Sequence, residues 1–92
     1  MSQAIEKEVP IVNRLGLHAR AAAKLVTLAA RFHSEVRIRK DGREVSGKSI
    51  MGVLMLAAAQ GSTITLIADG DDAQQVIDAL AELVANRFDE DA

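Results

Sequence analysis

The chain has 92 residues, enough for one domain that buries somewhat over ~60% of its unfolded surface, and 49% hydrophobic residues supply its core. It has no cysteine, which rules out a disulfide or a thiolate metal site. Eleven basic and thirteen acidic side chains leave a formal charge of −2, and two phenylalanines with no tyrosine or tryptophan offer no stacking platform, so nucleic-acid binding is excluded.

The opening residues, MSQAIEKEVP, alternate charge where a secretory signal needs an apolar run. Polar residues interrupt every apolar stretch before it reaches the length of a membrane span. The expectation is a cytoplasmic chain without membrane insertion, forming one domain over residues 1–92. Met1–Gln3 and the acidic tail Asp89–Ala92 read as loose ends.

Val9 to Asn13 reads as a first strand, placed at a sheet edge because Pro10 cannot donate a ladder hydrogen bond. Asn13-Arg14-Leu15-Gly16 then reads as a turn. From His18 the period changes: Ala22, Leu25, Val26, Ala29 and Phe32 recur at helical steps in an alanine-rich segment. Period two returns at Glu35–Arg39, and Asp41-Gly42 predicts a hairpin leading into Arg43–Ser46. Ile50–Leu56, preceded by Ser49, reads as a short helix because of Gly52 and the alanines that follow. Gly61 opens a last strand, Ser62–Ala68. Asp72 with Gln75 three residues on resembles a capping arrangement for a final helix, with Val76, Ile77, Leu80, Leu83 and Val84 as its buried stripe. The order is βαββαβα. Each strand has one apolar face, which predicts a two-layer α+β sandwich: helices on one side of a mostly antiparallel sheet, the other side open.

The usual enzyme constellations are missing: no nucleophilic cysteine, no GxSxG, no glycine-rich phosphate loop, no HExxH. His18 and His33 fall at opposite ends of one predicted helix, too far apart to share a metal. Near a helix C-terminus His33 has a sufficient structural role, since its cationic form suits the dipole there. His18 sits at the helix N-terminus, where Ser, Asp, Asn or Thr would cap better. The dipole at that end favours a neutral imidazole, which is a nucleophile. Beside it lie the first-turn N–H groups of Ala19, Arg20 and Ala21 and the Arg20 guanidinium, a setting that suits a phosphoryl group. The same two side chains read equally well as an exposed loop histidine next to a solubilising arginine.

Gly16-Leu17-His18-Ala19-Arg20-Ala21-Ala22 resembles the active-site motif of the HPr-type phosphocarriers of the bacterial phosphotransferase system. Gly47-Lys48-Ser49-Ile50-Met51-Gly52-Val53-Leu54 resembles that family's regulatory-serine region, and the resemblance extends over roughly residues 4–88. It implies a four-stranded antiparallel sheet of order 1-4-2-3 with three helices on one face. It implies a carrier, not an autonomous enzyme, with no cofactor and no metal, and acting as a monomer. His18 would be phosphorylated on Nδ1, with Arg20 stabilising the phosphoryl group. Enzyme I would be the donor and a IIA-type protein the acceptor. Ser49 would be the target of an HPr kinase/phosphorylase, and Ala19, Arg20, Lys24, Ile50, Met51 and Leu54 would form the docking surface. One departure stands out: most members have proline where this chain has Ala21, which restores a first-turn N–H. Asn13–Gly16, the apolar Ile50–Leu56 segment and Arg87–Asp91 look like the nitrogen-related branch, NPr, whereas Lys48–Met51 looks like a kinase substrate. The alternative is a non-catalytic regulatory module that binds a transcription factor or enzyme, with Ser49 as its switch.

Overall fold

A computed structural model describes residues 4–91. Four strands, β1 (Ile5–Pro10), β2 (Glu35–Lys40), β3 (Arg43–Ser46) and β4 (Thr63–Asp69), form one sheet of order β1-β4-β2-β3. Every pairing is antiparallel. Three helices, α1 (Ala19–Ala29), α2 (Ile50–Met55) and α3 (Ala73–Ala85), complete the open-faced α+β sandwich. A last turn spans Arg87–Asp89. The expected element order and sheet order both hold, with β1 and β3 at the edges.

The first strand lies earlier than Val9–Asn13. It runs over Ile5–Pro10, from Ile5 opposite Ala68 to Pro10 opposite Thr63. Lys7 shares the face of Ile5 and Val9, and this charge on the helix-facing side hides the period in the sequence. Ile11 lies beyond the strand yet is buried, its N–H donating to Ser62 O at 2.8 Å. The α1 stripe is Ala21, Ala22, Leu25 and Ala29, all fully buried. Phe32 falls outside the helix, which ends in tightened i→i+3 bonds from Arg31 to Leu28 O and from Phe32 to Ala29 O. Asp41 and Gly42 take φ of 51° and 82°, the mirror-image turn that the right-handed twist of paired strands favours.

Asp72 stands at the N-terminus of α3, but its side chain makes no capping bond. Its carboxylate reaches across to the entry of β2, accepting from His33 N–H at 2.8 Å, Ser34 N–H at 2.9 Å and the Ser34 hydroxyl. The Ser34 hydroxyl and then the His33 amide lower its pKa from 3.8 to about 2. Asp72 thus ties a helix to a strand instead of capping its own helix. Val76, Ile77, Leu80 and Val84 fill the core from α3 as expected, while Leu83 is only partly buried.

Candidate functional site

The site begins in the turn before α1. Gly16 holds φ of +68°, and a Cβ there would lie 2.5 Å from Ala58 O and 3.0 Å from Ala59 Cα. Only glycine fits this approach to the backbone. The following residue, Leu17, is buried, and its N–H donates to Ala58 O at 2.8 Å. His18 is thereby delivered to the N-cap of α1 in an extended conformation. Gly16→Ala is expected to cost roughly 2–4 kcal/mol, from the left-handed backbone and the clash together, as read from denaturant melts.

The His18 ring caps the helix itself. Nδ1 accepts the Arg20 N–H at 3.3 Å, and the His18 carbonyl accepts from Ala22 N–H at 2.8 Å. An acceptor Nδ1 carries no proton, which assigns the ring proton to Nε2. Of the three backbone groups expected to face a ligand, the Arg20 N–H is therefore already engaged. Ala21 is fully buried and packs into the core, while Ala19 and the Arg20 side chain are exposed. Arg14, His18, Arg20 and Glu90 line one open pocket.

Two residues of the site went unrecognised in the sequence. Glu90 pairs through Oε2 with His18 Nε2, and its Oε1 accepts from Asn13 Nδ2 at 2.9 Å. Asn13 is fully buried, and Nδ2 also donates to Gly16 O at 2.8 Å, so two acceptors fix the orientation of its amide. Burial raises the Glu90 carboxyl, but hydrogen bonds from His18 and Asn13, joined by smaller contributions from neighbouring charge, outweigh it and hold the group below its ordinary 4.5. The sequence presents Arg87–Asp91 as a branch marker and Asp89–Ala92 as a loose end. Among the described residues of that end, Glu90 is engaged as above; Ala92 and Met1–Gln3 lie outside them.

A left-handed turn carries Glu90 to the histidine. Arg87, Phe88 and Asp89 take φ of 59°, 53° and 63°. Each costs roughly 1–2 kcal/mol for a residue with a Cβ. Phe88 is fully buried, which returns about 1.5–3 kcal/mol, and its carbonyl accepts from Lys24 Nζ at 2.6 Å. A phenylalanine standing alone between Asn86-Arg87 and Asp89-Glu90-Asp91 is the available signal for this anchor. Lys24, expected on the docking surface, is half-buried and committed to this bond.

Ser49 is the N-cap of α2, its hydroxyl accepting from Gly52 N–H at 3.1 Å. On α2, which packs against α1, Met51 is 71% exposed and Ile50 43%, whereas Leu54 is partly buried and Val53 fully so. Leu15 and Met55 are exposed as well and were not anticipated. His33 lies beyond the last turn of α1, and its backbone N–H donates to the Asp72 carboxylate at 2.8 Å. Among the described residues, no group of three or more His, Asp or Glu side chains is placed to hold a metal ion, and no helix is long and apolar enough to cross a membrane.

The open-faced sandwich thus presents a histidine at the cap of its first helix, with an arginine two residues on. The family model for the phosphotransferase HPr component, described as its phosphorylation site, matches residues 5–86. The phosphocarrier protein HPr of Cupriavidus necator is 56% identical over 86 residues, covering 94% of this chain and 97% of the relative. The phosphocarrier protein NPr of Shewanella violacea is 46% identical over 86 residues, covering 94% of each. The crystal structure of HPr from Thermoanaerobacter tengcongensis superposes with a TM-score of 0.92 at 41% identity, covering 96% of this chain and 99% of that one. The chain belongs to the HPr family of phosphotransferase-system phosphocarriers.

Proposed function

We propose that this chain is a cytoplasmic phosphoryl shuttle in which His18 takes a phosphoryl group from phosphorylated enzyme I and passes it to a IIA-type acceptor. The observation that carries this reading is the placement of the His18 ring: Nδ1 faces the first turn of α1 and accepts only a 3.3 Å bond from Arg20 N–H. Such a bond is readily given up. Its lone pair can attack phosphorus, while the freed N–H and the Arg20 guanidinium turn toward the phosphoryl oxygens. His18, Arg20, Asn13 and Glu90 all come from one chain, so a monomer suffices. A regulatory module would have no use for a histidine held in this way, which favours the carrier. The test is incubation with enzyme I and phosphoenolpyruvate. The expected product is one added phosphoryl group by intact mass, labile in acid and stable in base. Absence of uptake under conditions that charge the Cupriavidus relative overturns the proposal.

Ser49 is proposed as the site of control by an HPr kinase. A phosphate there would stand next to Ile50 and Met51, whose exposed side chains suit a partner's apolar surface. It would raise the cost of desolvating that patch and repel acidic groups on the partner. The expected result is a raised half-saturation concentration of enzyme I with a nearly unchanged maximal rate, measured with Ser49 phosphorylated or as Ser49→Asp. A collapsed maximal rate at unchanged half-saturation would place the effect on chemistry and defeat the docking account.

A further inference from the structure

We propose that Glu90 is a positioning residue for phosphoryl transfer: its carboxylate keeps the ring proton on Nε2, leaves Nδ1 as the nucleophile, and stabilises the positive charge the ring acquires when Nδ1 bonds to phosphorus. The inference rests on the reading of His18 as the phosphoryl acceptor.

Three observations meet here. The first is the ring itself, whose two nitrogens have complementary partners: a donor, Arg20 N–H, on Nδ1 and a carboxylate on Nε2. Only the Nε2–H tautomer satisfies both. The second is that Glu90 is itself oriented. Its other oxygen is held at 2.9 Å by the amide of a fully buried Asn13, which is anchored on the turn that delivers His18. The Glu90 side chain retains only 15% of its exposure, so solvent screens the pair less than it would a surface contact. The third is the conformation of the chain: three consecutive non-glycine residues in the left-handed region carry Glu90 there. Such outliers persist where the surroundings over-determine them, and here the buried Phe88 ring and the Lys24 bond do so.

The step balances without a proton transfer. The Nδ1 lone pair forms the new N–P bond. The bond from phosphorus to its carrier nitrogen on a phosphohistidine-class donor breaks, and that electron pair stays with the donor. The ring then holds a phosphoryl group on Nδ1, a proton on Nε2 and one positive charge, and the charge faces Glu90. Delivery to an acceptor runs the same steps in reverse. A carboxylate behind an imidazole acts in this way wherever the far nitrogen does the chemistry.

The experiment compares the wild type with Glu90→Gln and Glu90→Ala. Glu90→Gln keeps an acceptor oxygen and loses the charge; Glu90→Ala loses both. Ring nitrogen shifts of 15N-histidine-labelled protein report the tautomer without any phosphoryl donor, and uptake from phosphorylated enzyme I reports the rate. Glu90→Ala is expected to lower the maximal rate about tenfold at unchanged half-saturation and to raise the Nδ1–H population. Glu90→Gln should keep the wild-type melting temperature and fall between the two in rate. Wild-type rates and tautomer populations in both variants overturn the inference and leave the His18 reading intact. A lower melting temperature with an unmoved tautomer overturns it too, leaving the contact merely structural. A wild type that takes no phosphate on His18 is the distinct failure of the underlying reading, and the inference falls with it.

Discussion

His18→Asn is expected to abolish phosphate uptake from enzyme I while the protein stays folded. The asparagine is the informative replacement. Alanine would also remove the helix cap, at a cost of about 0.5–2 kcal/mol, and so mix loss of chemistry with loss of stability. An asparagine oxygen can accept from the first-turn N–H groups as Nδ1 does, but an amide nitrogen is no nucleophile. Intact mass after incubation with enzyme I and phosphoenolpyruvate should show no added phosphoryl group, and the melting curve should stay close to that of the wild type. His33→Ala is the control. His33 engages the fold through its backbone N–H, which the substitution retains, so uptake should be undiminished. Uptake by His18→Asn, or its loss in a folded His33→Ala, would move the acceptor away from the N-terminus of α1.

Arg20→Ala is expected to separate chemistry from stability in the other direction. The side chain is exposed in the first turn of α1, where substitutions usually change stability by less than ~0.5 kcal/mol. It lines the same pocket as His18. Removing a cation aimed at charge that develops in transfer costs on the order of 2–4 kcal/mol. That corresponds to a rate lower by roughly 30- to 1000-fold. Arg20→Lys tests the geometry. It keeps the charge but loses the planar fork that matches phosphoryl oxygens, and should recover only part of the rate. Rapid-quench measurement of transfer from enzyme I would decide the matter: an unchanged rate in Arg20→Ala sinks the role given to Arg20.

What the sequence carried and what it hid divide along physical lines. His18 and Arg20 were legible because their significance is local: a histidine in a poor capping position, directly before a helix whose alanines announce it. The Asp41-Gly42 turn was legible for the same reason, two adjacent residues suited to positive φ. β1 was misplaced because an edge strand with Lys7 on its helix-facing side breaks the alternation. The capping reading of Asp72 failed because its carboxylate found stronger partners at His33 and Ser34, distant in sequence. Glu90 was hidden most completely. It lies 72 residues from His18, and the turn that brings it back puts Arg87, Phe88 and Asp89 where local preference would put glycine. No window of sequence contains that arrangement; it exists only once Phe88 has a core to enter.

The order of the sheet also sets a timetable for the growing polypeptide. β1 pairs with β4 alone, and β4 follows every other strand in the chain. On a ribosome adding ~5–20 residues per second, β1 would wait a few seconds with its ladder groups exposed. Its composition suits that wait. Glu6, Lys7 and Glu8 discourage pairing with a neighbouring nascent chain, and Pro10 withholds one donor. β4 also closes onto β2, so a single strand, arriving late, joins both halves of the sheet. The Glu90 contact forms later still. A chain interrupted before residue 90 would expose a His18 without its carboxylate, so translation itself withholds the complete site until the rest of the domain has been made.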